Sequence, residues 1–231
     1  MAKIIFFGTP DYVVCVPEAL KSAGHEIVAV VTQPPKPVGR KQVVTPSPVE
    51  TWATQYKILV SHNTTSLHSS VVKSVEVGIL ASYGKIVSKE TLDTFPKGII
   101  NIHPSLLPKW RGACPVQEQI LAGENKLGIS LMVMDEQMDH GPVLATKKIS
   151  LSGKENFPEL ITKLFRLGTE LLIEIIPDFI AGKLPLKPQD DSKAVYCPLY
   201  TREAGYFDIS NPPEKEKLDR MIRAYYPWPG V

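Results

Sequence analysis

Short runs of apolar residues, each closed by a glycine or a polar residue, constrain this chain most strongly. The runs occupy residues 3–7, 26–32, 77–82 and 98–103. A strand with one face in water alternates apolar and polar residues, but these runs are nearly continuous, so each predicted strand must be buried on both faces. Residues 10–22 and 48–56 predict helices. Strands and helices that alternate in this order predict an α/β protein with a mostly parallel twisted sheet and helices on both faces.

Away from these runs the patterns are more varied. Residues 33–48 are rich in proline and carry Gly39, which predicts a structured loop without helix or strand. Segments 128–134 and 142–149 predict a β-hairpin. The longest helix is predicted at 157–181, where apolar residues recur every three or four positions. Residues 185–200 lack periodicity and predict an extended tail. Weaker patterns predict a strand at 57–60 and helices at 62–73, 115–122 and 214–225.

The composition is ordinary for a soluble globular protein. Of 231 residues, 43% are hydrophobic and 22% are charged, which suits one large α/β domain or two small ones. The net charge of +2 is too small to indicate nucleic-acid binding by itself, although it is compatible with a local basic patch. The three cysteines are widely spaced and predict free thiols in a reducing compartment, hence a cytoplasmic protein. No apolar run approaches the ~20 residues of a membrane span, so we expect no membrane partner.

A polar pair ends the run at 98–103. Asn101 and His103 lie two positions apart, so both side chains face the same side of a strand. The amide can donate hydrogen bonds, and the imidazole can take or give a proton near neutral pH. Asp139 supplies a carboxylate from a tight loop, although an aspartate beside Gly141 also favours a simple turn. An amide, an imidazole and a carboxylate on loops of an α/β scaffold are typical of acyl transfer.

Two kinds of ligand are excluded by motif. Gly8, Thr9 and Pro10 stand between a predicted strand and a predicted helix, where a dinucleotide fingerprint would be found. The segment lacks G-x-G-x-x-G, which excludes NAD, while the helix start can still hold an anion. The histidines have no cysteine or histidine at ligand spacing, so we expect no metal site.

Several segments, taken in order, carry a family pattern. They are 7–11, 30–34 with Gly39 and Arg40, 45–49, 81–84, 101–112, 128–144 and 222–230. Together they resemble the folate-dependent formyltransferases, and within them the branch that formylates methionyl-tRNA. The resemblance implies a Rossmann-like formyltransferase fold. It also implies transfer of a formyl group from 10-formyltetrahydrofolate to the amino group of methionyl initiator tRNA, without a metal.

The resemblance also implies roles for individual residues. Asn101, His103 and Asp139 would be catalytic. Asn101 and His103 would hydrogen-bond the formyl oxygen or carry a proton, and Asp139 would act as base or as the end of a proton relay. The neighbouring acids Asp135 and Glu136 are expected to be solvated.

Binding residues follow from the same resemblance. The loop made of Ser105, Leu106, Leu107 and Pro108 would contact the folate. Arg40, on the proline-rich loop, would reach the tRNA acceptor stem and bind phosphate or base edges, unless this loop is simply solvated.

We expect residues 1–190 to form the catalytic domain. Residues 191–231 would form an extension with a helix leading toward a C-terminal β-barrel domain, which this sequence does not include. We expect a monomer. Other functions stay open: the same chemistry on an amino sugar or another small amine, a catalytically idle folate-binding or tRNA-binding module, and a hydrolase that releases formate.

Overall fold

A seven-stranded sheet forms the centre of the protein in the computed structural model, which describes residues 1–64, 71 and 74–231. Numbered along the chain, the strands are β1 (Lys3–Gly8), β2 (Glu26–Val31), β3 (Lys36–Val38), β4 (Val43–Thr45), β5 (Leu59–Ser61), β6 (Val77–Ala81), β7 (Ile99–His103), β8 (Arg111–Gly112), β9 (Lys126–Val133), β10 (Val143–Ser150) and β11 (Tyr196–Cys197).

The large sheet has the order β10-β9-β7-β6-β1-β2-β5. Strands β5, β2, β1, β6 and β7 are parallel, and β9 and β10 add an antiparallel edge. The predicted mostly parallel α/β sheet and the predicted β9–β10 hairpin are therefore confirmed.

Helices cover both faces of the sheet. They are α1 (Cys15–Ser22), α2 (Pro48–Gln55), α3 (Lys89–Leu92), α4 (Pro115–Leu121), α5 (Phe157–Ile180) and α6 (Lys215–Tyr225), with short 3-10 turns at Asp11–Val13, Asp191–Lys193 and Arg202–Gly205. Alternate residues of β1 enter different cores: Ile4 and Phe6 pack in one, and Ile5 and Phe7 in the other. This alternation explains why the strand is apolar at every position.

The long helix α5 packs against strands β7 and β9 of the sheet. A capping box at Asn156 and Glu159 begins it, with each side chain accepting from the other residue's backbone N–H. Gly168 lets the helix approach the sheet, because a Cβ at this position would lie 2.7 Å from Ile102 and 2.8 Å from Ile129. The predicted longest helix is confirmed, and it packs against one face of the sheet at β7 and β9.

The proline-rich segment 33–48 differs from its prediction. It was expected to contain no strand, but β3 and β4 pair as an antiparallel ribbon in which Pro37 stands opposite Val44. An isolated ribbon leaves many N–H groups facing outward, so proline, which has none, is tolerated there. Gly39, at φ +70°, makes the turn possible. The prediction of a plain loop was therefore wrong.

The tail at 185–200 is more ordered than its lack of periodicity indicated. Strand β11 pairs in parallel with β8, and Lys187 exchanges two backbone hydrogen bonds with Val143. The predicted extended tail is therefore extended, and its pairing with partners far away in sequence leaves no periodic signal. The predicted helix at 62–73 lies largely outside the described residues. Within the part of the chain that is described, no helix is long and apolar enough to cross a membrane.

Candidate active site

Three side chains meet at the carboxyl end of β7. Asn101 and His103 are buried, with 7% and 4% of their surfaces exposed. The Asn101 amide nitrogen, Nδ2, donates to Oδ1 of Asp139 at 3.0 Å, and His103 Nδ1 lies 3.6 Å from the same oxygen. The structure thus brings together the three residues that the sequence singled out. Their chemical roles stay predictions.

A backbone carbonyl orients the imidazole. His103 Nε2 lies 2.9 Å from the carbonyl oxygen of Trp110, which can only accept a hydrogen bond, so Nε2 carries a hydrogen. In the neutral ring, Nδ1 then presents its lone pair toward Asp139. If Nδ1 takes a proton, the imidazolium faces a carboxylate. The arrangement allows His103 to gain a proton at Nδ1 without moving.

The Asp139 loop is held in a conformation that costs energy. Asp139 has φ +48°, in the left-handed region, which costs an ordinary residue about 1 kcal/mol. Its Oδ2 accepts from the backbone N–H of Gly112 at 2.8 Å. Gly141 closes the loop against Val133, where a Cβ would lie 1.9 Å from the Val133 carbonyl oxygen. Only glycine fits at position 141. The loop can therefore pack against β9, and this packing directs the Asp139 side chain toward Asn101.

Two residues that the sequence reasoning missed, Arg111 and Gln189, brace this loop. The Gln189 amide nitrogen donates to the carbonyl oxygens of Asp139 and Gly141 at 2.9 and 2.8 Å. Its oxygen accepts from Nε and Nη2 of Arg111 at 3.2 and 2.9 Å. A signal for Arg111 existed, since it directly follows the Asn101–Trp110 segment, whereas no pattern marks Gln189.

Arg111 is a buried charge whose guanidinium donates four hydrogen bonds. Only 1% of its surface is exposed, yet Nη2 donates to Asp191 at 2.7 Å and Nη1 to the Tyr196 hydroxyl at 3.1 Å. Burial alone would lower the pKa of Arg111, but Asp191 and Tyr196 outweigh it, so the pKa is raised. The Arg111 guanidinium in turn lowers the pKa of Asp191. Both groups are therefore charged at neutral pH.

His140 belongs to this charged network, and its partners are not Asp139. Its Nδ1 lies 2.6 Å from Asp135 and its Nε2 lies 3.2 Å from Asp191. The hydrogen bond with Asp135 is the main reason why the pKa of His140 is raised. Asp135 was expected to be a solvated residue; its side chain is 35% exposed and is also a hydrogen-bonding partner of His140.

The loop predicted to contact folate is built by internal hydrogen bonds. The Ser105 hydroxyl is buried and donates to the Lys109 carbonyl at 2.6 Å. The Ser130 hydroxyl donates to the Ser105 carbonyl at 2.7 Å and accepts from the Leu107 N–H at 3.0 Å. Leu106, Leu107 and Pro108 are partly exposed. The loop is therefore anchored from beneath, and its outer surface is left to apolar side chains.

Arg40 lies apart from this cluster, at the exposed turn of the β3–β4 ribbon. The base of the ribbon is tied to the sheet through Gln33, whose amide nitrogen donates to the carbonyls of Tyr83 and Gly84 at 3.3 Å each. The Lys36 ammonium donates to the oxygen of Gln33. The ribbon is thus fixed at its root and free at its tip.

The cysteines do not supply a nucleophile. All three are free; Cys114 is buried, and Cys15 and Cys197 are partly buried. Burial raises the pKa of each thiol, that of Cys197 to about 11. The thiolate is the reactive form, so these groups are inert at neutral pH. Among the described residues, no group of three His, Cys, Asp or Glu side chains is placed to hold a metal ion.

Comparison with known proteins gives one consistent family. Residues 2–176 match the family model described as Formyl transferase. Methionyl-tRNA formyltransferase from Chloroflexus aurantiacus is 41% identical over 99% of this chain and 75% of its own length. The same enzyme from Halorhodospira halophila is 38% identical over 100% and 75%.

Solved structures agree on the fold. The N-formyltransferase from Helicobacter canadensis, in complex with folinic acid and dTDP-3-aminofucose, superposes with a TM-score of 0.74, covering 97% of this chain and 80% of that one. At 19% identity this structural similarity supports the fold alone. The curated relatives, at twice that identity, are the ones that bear on chemistry.

Proposed function

The chain belongs to the formyl transferase family and, within it, to the methionyl-tRNA formyltransferases, and we propose that it transfers a formyl group from 10-formyltetrahydrofolate to the amino group of methionyl initiator tRNA. The observation that carries the proposal is the buried cluster in which Asn101 and His103 share one oxygen of Asp139. Formyl transfer needs a donor for the formyl oxygen and a group that takes a proton, and this cluster holds both.

The residues fit a folate donor. When bound, 10-formyltetrahydrofolate supplies an activated formyl group on a nitrogen atom. The cluster lies beside the partly exposed apolar surface of Leu106, Leu107 and Pro108, which suits a flat aromatic ring. We assign this surface, with Ser105 beneath it, to donor binding.

Asn101 is suited to hold the formyl oxygen. Its amide nitrogen carries two hydrogens, and Asp139 takes one of them. The other can donate to the oxygen on which negative charge develops as the amine attacks. Donors of this kind contribute about 3 kcal/mol to transition-state stabilisation. The amide does not titrate, so the contribution is available at every pH at which the protein is folded.

His103 and Asp139 are suited to move the proton. The attacking amine must lose a proton when the new C–N bond forms, and the leaving nitrogen must gain one when the old C–N bond breaks. Asp139 can take the first proton, and His103, fixed by Trp110, can hold a proton at Nδ1 and return it. Because Oδ1 of Asp139 lies 3.6 Å from Nδ1 of His103, the proton has only a short distance to move.

The acceptor side is supported by the β3–β4 ribbon. Lys36, Arg40 and Lys41 place three positive charges on an exposed ribbon whose root is tied to the sheet. We propose that Arg40 contacts the acceptor stem of the tRNA. We also propose that residues 1–190 form the catalytic domain and 191–231 an extension, and that the protein works as a monomer in the cytoplasm, where translation begins.

The test is release of tetrahydrofolate from 10-formyltetrahydrofolate, measured with and without methionyl initiator tRNA. We expect the tRNA to stimulate release in the wild type and no release with His103→Ala. Nucleotide-linked amino sugars provide a second acceptor series. Release that responds to an amino sugar and not to tRNA would replace the proposed acceptor, and tight folate binding without any turnover would point to a binding module.

A further inference from the structure

A strap of residues 187–197 crosses the Asp139 loop, beyond the segment 2–176 that matches the family model. We propose that Gln189, held by Arg111, is a positioning residue for Asp139, which makes this strap a functional part of the active site. The proposal rests on the proposed formyl transfer and adds to it a residue outside the Asn101, His103 and Asp139 cluster.

Gln189 holds the backbone of the loop. Its single amide nitrogen spans two carbonyl oxygens, those of Asp139 and Gly141, at 2.9 and 2.8 Å. Both hydrogens of the amide are then used. A side chain without two hydrogens on one nitrogen cannot make this pair of bonds. Gln189 therefore fixes the orientation of the Asp139 peptide on one side, while Gly112 and Asn101 hold the carboxylate on the other.

Arg111 sets the orientation of Gln189. Because its guanidinium donates twice to the Gln189 oxygen, the amide nitrogen must face the opposite way, toward the loop. Arg111 is itself fixed by Asp191 and by the Tyr196 hydroxyl, which lie further along the strap. The buried cation thus decides which end of Gln189 meets Asp139.

The strap is pinned by backbone hydrogen bonds on both sides of Gln189. At one end, Lys187 and Val143 exchange bonds of 2.8 and 3.1 Å. At the other, the Val195 N–H donates to Pro108 at 3.3 Å and the Arg111 N–H donates to Val195 at 2.8 Å. The strap therefore connects β10 with the loop predicted to bind folate. Gln189 lies between these two hydrogen-bonded points of the strap.

Gln189 matters for catalysis because the Asp139 carboxylate must be placed precisely. Asp139 occupies a left-handed conformation that the surrounding contacts must maintain. A displacement of about 1 Å in a catalytic group can cost on the order of 100-fold in rate. A purely structural role would lower the amount of folded protein and leave the turnover of each folded molecule unchanged. The two roles can therefore be separated.

The experiment compares Gln189→Glu with the wild type in the full chain. Glutamate keeps the oxygens that accept from Arg111, and its charge pairs with the guanidinium, so folding is expected to persist. It has no hydrogen for the carbonyls of Asp139 and Gly141. We expect kcat to fall about 10- to 100-fold while KM for folate and for tRNA changes less than about threefold. Lys187→Ala, on an exposed strap side chain whose backbone contacts persist, is the matched control and should retain wild-type kcat.

A second readout does not depend on turnover. The side-chain amide NMR signal of Asn101 reports the hydrogen bond with Asp139. We expect it to shift in Gln189→Glu and to stay in place in Lys187→Ala. Wild-type kcat together with an unshifted signal in Gln189→Glu overturns the proposal, as does a loss of kcat that only follows a loss of folded protein. If the wild type transfers no formyl group to any acceptor, the proposed function fails, and the Asn101 signal still decides whether Gln189 positions Asp139.

Discussion

Asn101 donates a 3.0 Å hydrogen bond to Asp139, across 38 residues of sequence. The bond joins β7, an interior strand of the sheet, to the loop that follows β9. The second hydrogen of the Asn101 amide stays available for another acceptor. Nδ1 of His103 lies beside the same carboxylate. An amide, an imidazole and a carboxylate in one buried cluster can stabilise negative charge and exchange a proton within a few ångströms.

Replacing the carboxylate tests this cluster. We expect Asp139→Asn to fold normally, because an amide of the same shape can still accept from the Gly112 N–H, but its nitrogen then faces the Asn101 amide nitrogen and the bond with Asn101 is lost. It cannot take a proton from the attacking amine, so kcat should fall about 100- to 10,000-fold. Steady-state kinetics with 10-formyltetrahydrofolate and methionyl-tRNA measures the change.

Glu136→Gln is the matched control for Asp139→Asn. Glu136 lies in the same loop, and its side chain is 61% exposed and paired with Lys89. It should retain wild-type turnover. Turnover of Asp139→Asn within a few-fold of the wild type would remove Asp139 from the mechanism.

A local sequence rule predicted two residues of the cluster, Asn101 and His103, and only the resemblance brought Asp139 to them. Asn101 and His103 share a face because side chains alternate along a strand, and that rule needs no tertiary structure. The approach of Asp139 depends on the register of β7 and β9 and on Gly141 fitting against Val133. These are long-range contacts, and no periodic pattern reports them.

The contacts that Gln189 and Arg111 make with each other and with the Asp139 loop are still harder to predict from the sequence. Buried strands and the long helix α5 were predictable because burial imposes a pattern on many residues at once. Gln189 makes its contacts as a single polar residue in a stretch without periodicity. The proline-rich ribbon was missed for a different reason, since proline argues against strands in general but not at the edge of an isolated pair.

The ribbon supports a prediction about the acceptor. Arg40→Ala should raise KM for methionyl-tRNA about 10-fold and leave KM for the folate unchanged, because the side chain lies at an exposed turn away from β7. If Arg40 binds a phosphate, the dependence of tRNA affinity on salt concentration should also become less steep by about one counterion. Binding measured at several salt concentrations gives both values.

Lys163→Ala serves as the control for Arg40→Ala. It removes one exposed positive charge from helix α5 and so changes the net charge by the same amount. Tight binding of tRNA should persist in this variant. Equal losses in both variants would mean that only the overall charge matters.

The acid–base pairs around His140 predict a pH dependence of stability. The hydrogen bond with Asp135, together with the charges of Asp135 and Asp191, raises the pKa of His140 in the folded protein. The folded state therefore binds the proton more tightly than the unfolded state does. The resulting stabilisation is fully present below the unfolded pKa of about 6.5 and is lost as the pH rises through the folded pKa.

Denaturant unfolding over a range of pH measures this effect. The difference in unfolding free energy between the wild type and His140→Gln should be largest below about pH 6 and should shrink above neutrality. His25→Gln gives a contrast of opposite sign, because burial lowers the pKa of His25. A difference for His140→Gln that does not vary with pH would show that folding does not change the pKa of His140.

Gly141 provides the most direct test of how the Asp139 loop is held. In Gly141→Ala the new Cβ would lie 1.9 Å from the Val133 carbonyl oxygen, so the loop must move away from β9. We expect a loss of about 3 kcal/mol in unfolding free energy and a loss of turnover in the molecules that remain folded. Gly182→Ala is the control: Gly182 has φ +70° with nothing within 4 Å of a Cβ, so it should cost only about 1 kcal/mol and leave turnover intact. Gly182→Ala carries backbone strain without a clash, whereas Gly141, whose φ is not in the left-handed region, carries the clash without that strain, so the two variants separate the two effects. Normal turnover in folded Gly141→Ala would mean that Asp139 reaches Asn101 without this contact.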